Sequence, residues 1–163
     1  MQRFKTSNSM NFECSVESLW DIVSSANYLN NVHPFCSDNS IIHWDNDKHE
    51  DKIVYLNGLT FVRKFVSWKE FEGYDLWIGS NNRNQSFVEW RLEKVNSGSK
   101  LTITVYPFLY SDWPKVFSFL PYFLFVNIKL KSYLFSVLSG IDWYIKEKTP
   151  VPKNQFGEHS WFS

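Results

Sequence analysis

The sequence predicts an α+β fold in which a curved antiparallel sheet wraps around a long C-terminal helix. The stretch from Tyr122 to Lys148 has apolar residues at the three-and-four spacing of one helical face and contains no proline. Upstream, short alternating segments are separated by turn residues such as Asn57-Gly58, which is typical of antiparallel strands. A helix of about 25 residues is roughly 37 Å long, so its apolar face needs a cover. A sheet of about seven strands provides that cover.

Length and charge limit the organisation and the partners. We expect one domain over residues 1–148 and a C-terminal tail over residues 149–163. The tail lacks the apolar periodicity of a core element, so we expect it to lie outside the core. Seventeen Lys and Arg residues balance seventeen Asp and Glu residues, so nucleic acid is not an expected partner. Cys14 and Cys36 form no disulfide framework and the N-terminus has no apolar run, which together favour a cytoplasmic protein without a secretory signal.

One segment, Val116 to Leu138, is apolar enough to raise the question of a membrane span. Its longest charge-free part, Val116 to Ile128, has 13 residues, whereas a span needs about 20. We therefore expect no integral membrane segment and allow only transient membrane contact.

The elements follow in order. Residues 3–14 suit a first strand, and Ser15 is the expected N-cap of a short helix that buries Val16, Leu19, Trp20 and Val23. Residues 27–31 form a second short helix before a strand at 37–44. Five further strands are expected at about 51–56, 59–71, 74–80, 85–95 and 100–110. Asp112 is expected to cap a short helix, and Pro121 to begin the long one.

The long helix has a predicted inner and outer face. Its inner face consists of apolar residues at helical spacing: Leu130, Leu134, Val137, Leu138, Ile141 and Ile145. Polar residues occupy the other side: Lys129, Ser132, Ser136, Ser139 and Lys146.

Strand register predicts which residues of the sheet face that helix. A two-residue turn at Asn57-Gly58 would put Lys52 opposite Arg63, and one at Glu72-Gly73 would put Trp68 opposite Trp77 on the outer face, where Tyr55 would also lie. The inner face would then carry Val54, Leu56, Leu59, Phe61, Phe65, Phe71, Tyr74, Leu76 and Ile78, with Arg63, Ser67 and Lys69 as polar members. A single bulge would reverse part of this assignment. Later in the chain, Val88, Trp90 and Leu92 face inward.

Three motifs, in this order, resemble the SRPBCC superfamily, also called START-like or helix-grip. They are Val16-Glu-Ser-Leu-Trp-Asp-Ile-Val23, Asn30-Asn-Val-His-Pro-Phe35 and Tyr133-Leu-Phe-Ser-Val-Leu-Ser-Gly-Ile-Asp-Trp-Tyr144. The likeness covers about residues 3–147. Two departures stand out: Val32 replaces the tryptophan that many relatives carry before the His-Pro, and the gate and latch of plant abscisic-acid receptors are missing.

The resemblance implies a hydrophobic cavity between sheet and helix, without a cofactor, that binds a hydrophobic small molecule or lipid and could carry it between sites. The expected ligand-binding residues are Leu56, Phe61, Arg63, Phe65, Leu76, Ile78, Trp90, Leu134, Val137, Leu138 and Ile141. Two alternatives stay open: a cyclase or dehydratase that acts in the same cavity, and an interaction protein whose cavity is filled by its own aromatic residues. Of these functions, we favour binding over catalysis.

Individual polar residues support different chemistries. His33, Cys36, His43 and His49 match no zinc spacing, so no metal is expected, and His33 is expected to brace its loop. Arg63 lies between two inward phenylalanines, where its charge must meet either a core carboxylate or an anionic ligand group unless Arg63 is at the open rim beside Lys52. A catalytic acid or base could come from Glu89, Tyr106, Tyr110 or Asp112. The aromatic stretch from Pro107 to Phe125 would close one end of the cavity or fill the end of the core.

Overall fold

Seven strands and three helices make up the computed structural model of the protein, which describes residues 4–80, 85–108 and 122–163. The strands are β1 Thr6–Phe12, β2 Cys36–Trp44, β3 His49–Tyr55, β4 Thr60–Lys69, β5 Gly73–Gly79, β6 Gln85–Val95 and β7 Gly98–Tyr106. The helices are α1 Val16–Val23, α2 Leu29–Val32 and α3 Asn127–Glu147, and α3 continues from a π-helical turn at Tyr122–Val126. The predicted order of elements is confirmed. Asp112, Pro121 and the predicted helix between them lie outside the described residues.

All seven strands form one antiparallel sheet in the order β1-β7-β6-β5-β4-β3-β2. β1 and β2 are therefore the edges, and the consecutive strands β2 to β7 form a meander. The predicted α+β helix-grip architecture is confirmed: the sheet covers the apolar face of α3, and α1 and α2 lie between β1 and β2 in the chain.

Helix α3 buries the face that its spacing predicts, and α1 buries Leu19, Trp20 and Val23, whereas the predicted Val16 is half-buried. Ser15 caps α1, since its Oγ accepts a hydrogen bond from the Ser18 backbone N–H at 3.2 Å. The six apolar positions of α3 are all buried: Leu130, Leu134, Val137, Leu138, Ile141 and Ile145. Ser136 is buried as well, contrary to the prediction that placed it on the outer face.

Gly140 explains how α3 approaches α2. A Cβ atom at this position would lie only 2.0 Å from the Val32 carbonyl oxygen, so a larger residue cannot fit without moving α2. The segment Phe123–Glu147 is long and apolar enough, by length and composition, to cross a membrane. Because its apolar stripe packs in the core, this single helix is weak evidence for a span.

The β3–β4 hairpin differs from the predicted register by one residue. The Tyr55 N–H donates to the Leu59 carbonyl at 2.8 Å, so the loop contains the three residues 56–58, and Gly58 takes a left-handed φ of 85°. A three-residue loop of this kind is common in hairpins and shifts the pairing. Asp51, not Lys52, therefore lies opposite Arg63.

This shift reverses the predicted faces of β3. The buried residues are Asp51, Ile53 and Tyr55, whereas the predicted Val54 and Leu56 are only half-buried on the opposite side. Leu59 is exposed. The prediction of an inward Leu56 was therefore wrong, and the reason is a single extra loop residue.

The β4–β5 hairpin shows the same effect. Its loop holds residues 70–72, with Phe71 in a left-handed conformation at φ 62°, and a bulge lies between Phe65 and Ser67. Trp68 consequently lies opposite Tyr74, not Trp77, and stacks on the Tyr74 ring inside the fold with centroids 5.3 Å apart. Phe71 and Lys69, which were predicted to face inward, are exposed. Farther along, Val88, Trp90 and Leu92 are buried as predicted.

Residues 149–163 pack on the domain, although their pattern places them outside the core. Val151 and His159 are buried, and the Val151 N–H donates to the Asn31 carbonyl at 2.9 Å. At the far end, the Asn57 side-chain amide donates to the Trp161 carbonyl at 2.8 Å. The segment thereby joins α2 to the β3–β4 hairpin.

Candidate functional site

A cavity of about 110 Å³ lies between the inner face of the sheet and α3. Strands β3 to β7 contribute one wall, and Leu130, Leu134 and Val137 of α3 contribute the opposite wall. Most of the lining is apolar. The polar lining side chains are His33, Tyr55, Arg63, Ser86 and Tyr133.

The structure brings together seven of the eleven predicted site residues around this cavity: Phe61, Arg63, Leu76, Ile78, Trp90, Leu134 and Val137. The other four lie elsewhere. Leu56 is in the β3–β4 loop, and Leu138 and Ile141 are completely buried in the core beside the cavity. Phe65 packs its edge against Tyr74, with ring centroids 5.1 Å apart.

Sequence reasoning missed several lining residues. Tyr55 was assigned to the outer face because of the register error, and Phe162 belongs to the segment that was expected to be a tail. Tyr133 follows Leu130 at helical spacing, so it would have been found if aromatic residues had been included in the apolar stripe of α3. His33 was interpreted as a loop residue without a place in the cavity.

Arg63 is paired inside the fold with Asp51. Its Nε donates to Asp51 Oδ1 at 2.7 Å and its Nη2 to Oδ2 at 2.5 Å, a bidentate arrangement in which both side chains are almost inaccessible to solvent. Burial opposes the charged guanidinium, but Asp51 and Tyr28 outweigh it, so the pKa of Arg63 lies well above its usual value. The core carboxylate, one of the two predicted alternatives, is what meets this charge.

The same guanidinium begins a chain of hydrogen bonds with only one consistent direction. Arg63 Nη1 donates to the Tyr28 hydroxyl at 2.9 Å, and the Tyr74 hydroxyl donates to the Val23 carbonyl at 3.3 Å. The 2.7 Å bond between the two hydroxyls is therefore donated by Tyr28 to Tyr74. Every hydroxyl hydrogen in this chain has an acceptor.

A second polar chain, formed by His33, Tyr133 and Tyr55, lies at the cavity wall. The Phe35 backbone N–H donates to His33 Nδ1 at 3.2 Å, so in the neutral ring the hydrogen is on Nε2. His33 Nε2 lies 2.8 Å from the Tyr133 hydroxyl and thus donates to it. The Tyr133 and Tyr55 hydroxyls are 3.2 Å apart.

Burial keeps all three of these groups uncharged. Desolvation, with smaller effects of Arg63 and Lys153, lowers the pKa of His33 to about 3. Desolvation raises the pKa of Tyr55 to about 12 and the pKa of Tyr133 well above its usual value. At neutral pH this side of the cavity therefore presents neutral hydrogen-bonding groups.

The C-terminal segment closes the cavity beside these hydroxyls. The Phe162 ring lies 4.5 Å from the Tyr55 ring and 4.6 Å from the Tyr133 ring, measured between centroids. His159 holds the segment against α3: its Nδ1 accepts from the Trp161 N–H, so its Nε2 donates to the Lys129 carbonyl at 3.0 Å. Phe162 is thus one wall of the cavity.

The remaining candidate residues do not meet in a second site. Within the described ranges, no group of three His, Cys, Asp or Glu side chains could hold a metal ion. Burial raises the pKa of the Cys36 thiol to about 11, which disfavours a nucleophilic thiolate. The Tyr106 hydroxyl donates to Glu89 at 3.2 Å, but this pair lies on the face of the sheet turned away from the cavity. Tyr110 and Asp112 lie outside the described residues.

Comparison with known proteins supports the fold. No family model and no curated protein matches the sequence. Solved structures do match, among them a START superfamily protein from Mycobacterium smegmatis at 12% identity and a TM-score of 0.68, covering 89% of this chain and 99% of that one.

Two further structures match in the same way. Ara h 8.0201 has 18% identity and a TM-score of 0.63, covering 88% of this chain and 98% of that one. DynU16, a protein of the dynemicin biosynthetic locus, has 12% identity and a TM-score of 0.65, covering 90% of this chain but 48% of that one. At these identities the likeness concerns the fold alone.

Proposed function

Because the chain has the helix-grip fold found in START-like and other SRPBCC-type structures, we propose that it binds a small hydrophobic molecule in the cavity between the sheet and α3. The observation that carries this proposal is the cavity itself, whose walls are apolar apart from a few neutral or paired polar groups. Burial of ligand surface there is worth about 25 cal/mol per Å² before ordering costs. The two free cysteines suit the reducing cytoplasm that we expect for the protein.

The volume of the cavity limits the size of the ligand. Pockets for drug-sized molecules measure roughly 300–1,000 Å³, whereas an engineered cavity of about 150 Å³ accepts benzene. The cavity of about 110 Å³ is smaller than both, so it holds at most a molecule with a single small ring, and a larger lipid requires a wall to move. Phe162 is the wall best placed for this, because it belongs to the terminal segment rather than to the sheet.

The pairing of Arg63 bears on the charge of the ligand. Asp51 takes two of its N–H groups and balances its positive charge, so an anionic ligand group has no net charge to meet at this position. We infer a neutral ligand. The small size of the cavity also favours a second function, that of an interaction protein whose cavity is filled by its own side chains. One experiment separates ligand binding from this alternative.

The experiment is a titration with methylenecyclohexane, a neutral apolar probe, followed by methyl NMR. Saturable shifts of the Leu134 and Val137 methyl groups, which line the cavity, are the expected result. Val66, which is 59% exposed, serves as the control methyl group. No shift, or equal shifts at Val66, would favour the filled cavity.

A matched pair of variants tests whether the probe binds in this cavity. Val137→Phe places a ring in the cavity and should abolish probe binding, whereas Val66→Phe adds the same group outside and should leave it unchanged. Thermal unfolding of both variants verifies that they remain folded. Unchanged binding by folded Val137→Phe would place the probe elsewhere.

A further inference from the structure

The hydrogen bonds of His33, Tyr133 and Tyr55 leave one donor without a partner. The three groups carry three hydrogens: one on His33 Nε2 and one on each hydroxyl. Two hydrogen bonds join them, and they use two of these hydrogens. Among the described residues, no other acceptor contacts either hydroxyl.

The spare hydrogen can be on either tyrosine. If Tyr133 donates to Tyr55, the Tyr55 hydrogen is free, and if Tyr55 donates to Tyr133, the Tyr133 hydrogen is free. In both arrangements a hydroxyl at the cavity wall lacks an acceptor among the described residues: Tyr55 is 2% exposed, Tyr133 is half-buried, and both line the cavity. Leaving a buried donor without a partner destabilises the fold, and an acceptor on a ligand would remove that cost.

The neighbouring chain of Arg63, Tyr28 and Tyr74 differs in this respect. There each hydroxyl hydrogen has an acceptor, ending at the Val23 carbonyl. Of these two chains, only the one that ends at Tyr55 and Tyr133 has a hydroxyl hydrogen without an acceptor, within the part of the protein that the structure describes. Arg63 also lines the cavity and uses three of its five N–H groups within the fold, so its remaining N–H groups are the competing donors that the test must exclude.

From this count we propose that the Tyr55 and Tyr133 hydroxyls form a recognition site for a neutral oxygen acceptor, such as the carbonyl of a small cyclic ketone. This inference rests on the proposed binding function and specifies the class of ligand. The ring of the ligand would lie among the apolar residues, and its oxygen would accept the spare hydroxyl hydrogen. The neutral state of both tyrosines at ordinary pH keeps this donor available.

The test compares cyclohexanone with methylenecyclohexane, which differ only in an oxygen in place of a CH₂ group. In the native protein, the carbonyl carbon of bound, ¹³C-labelled cyclohexanone should resonate downfield of its position in cyclohexane, as expected for a hydrogen-bonded carbonyl. In Tyr55→Phe/Tyr133→Phe, the ratio of cyclohexanone to methylenecyclohexane affinity should fall by about 5-fold or more. Tyr106→Phe, whose hydroxyl bonds to Glu89 on the other face, is the control and should keep the native ratio.

The possible outcomes are distinct. If neither probe binds the native protein, the proposed function is wrong. If both bind but the carbonyl carbon shows no downfield shift, the recognition site is wrong while the binding function stands. An unchanged affinity ratio in the double variant also overturns the assignment to these hydroxyls, because Arg63 would then be the donor. Should the double variant fail to fold, the carbonyl shift in the native protein decides the question alone.

Discussion

Asp51 and Arg63 lie directly opposite each other on β3 and β4 and form a bidentate ion pair inside the fold. The Arg63 guanidinium also lies over the Tyr28 and Phe65 rings, 5.2 Å from each centroid. The pair therefore joins the sheet to the segment that precedes α2. The contribution of this ion pair to stability can be measured by unfolding variants of the two residues without any ligand.

We expect Arg63→Met and Asp51→Asn each to destabilise the protein by about 3–5 kcal/mol, because each leaves an unpaired polar partner in the core. The double variant should cost less than the sum of the two. Chemical denaturation measures all three free energies of unfolding. Asp142→Asn, which breaks the solvent-exposed Lys146 pair, is the control and should cost less than about 0.5 kcal/mol. Additive effects of the two core variants would contradict the pairing.

His33 should make stability depend on pH. Its native pKa is about 3, whereas an unfolded histidine titrates near 6.5, so between these values the unfolded chain binds a proton that the native protein excludes. Stability should therefore fall as pH is lowered through this window, by about 1.4 kcal/mol per pH unit from this residue. Denaturation of the native protein and of His33→Gln between pH 4.5 and 6 measures the slope.

The His33→Gln variant should lose that part of the slope even though it is less stable overall. His43→Gln provides the control, since His43 is exposed, and it should keep the native slope. Equal slopes for the native protein and His33→Gln would mean that His33 does not titrate in this way.

Two leucines of α3 should respond differently to truncation. Leu138 is completely buried and does not line the cavity, so Leu138→Ala should cost about 2–5 kcal/mol. Leu134 lines the cavity, so Leu134→Ala removes fewer contacts and should cost less. Chemical denaturation gives both values. A larger cost for Leu134→Ala would argue against an open space beside it.

Phe162→Ala should enlarge the cavity by removing the ring that packs on Tyr55 and Tyr133. We expect the variant to bind larger apolar probes, such as 1-aminoanthracene, that the native protein excludes, and to lose about 0.5–1.5 kcal/mol of stability for each aromatic pair. Probe fluorescence and denaturation report the two effects. Phe156→Ala changes an exposed ring in the same segment and should do neither. Native-like exclusion of the larger probe by Phe162→Ala would show that another wall limits the cavity.

Local patterns in the sequence determined the order of elements, the buried face of α3 and the inward residues of β6. These features follow from periodicity within one element, since apolar residues recur every three to four positions in a helix and every two in a strand. Leu134 and Trp90 could therefore be assigned to the interior without knowledge of their partners.

Only the tertiary structure decided how the elements meet. One extra residue in the loop at 56–58 put Asp51 rather than Lys52 opposite Arg63, and it turned Tyr55 toward the cavity. The number of loop residues depends on backbone conformation at Gly58, which the sequence permits but does not impose.

The cavity wall depended on contacts between distant parts of the chain. Phe162 packs on Tyr55 although more than a hundred residues separate them, and the segment that carries it has no amphipathic period. Such packing is determined by the fit of side chains in three dimensions, so no local sequence pattern predicts it. The sequence thus determined the buried faces of α3 and β6, and the tertiary structure decided the buried face of β3, which polar groups lie in the core and which of these have partners.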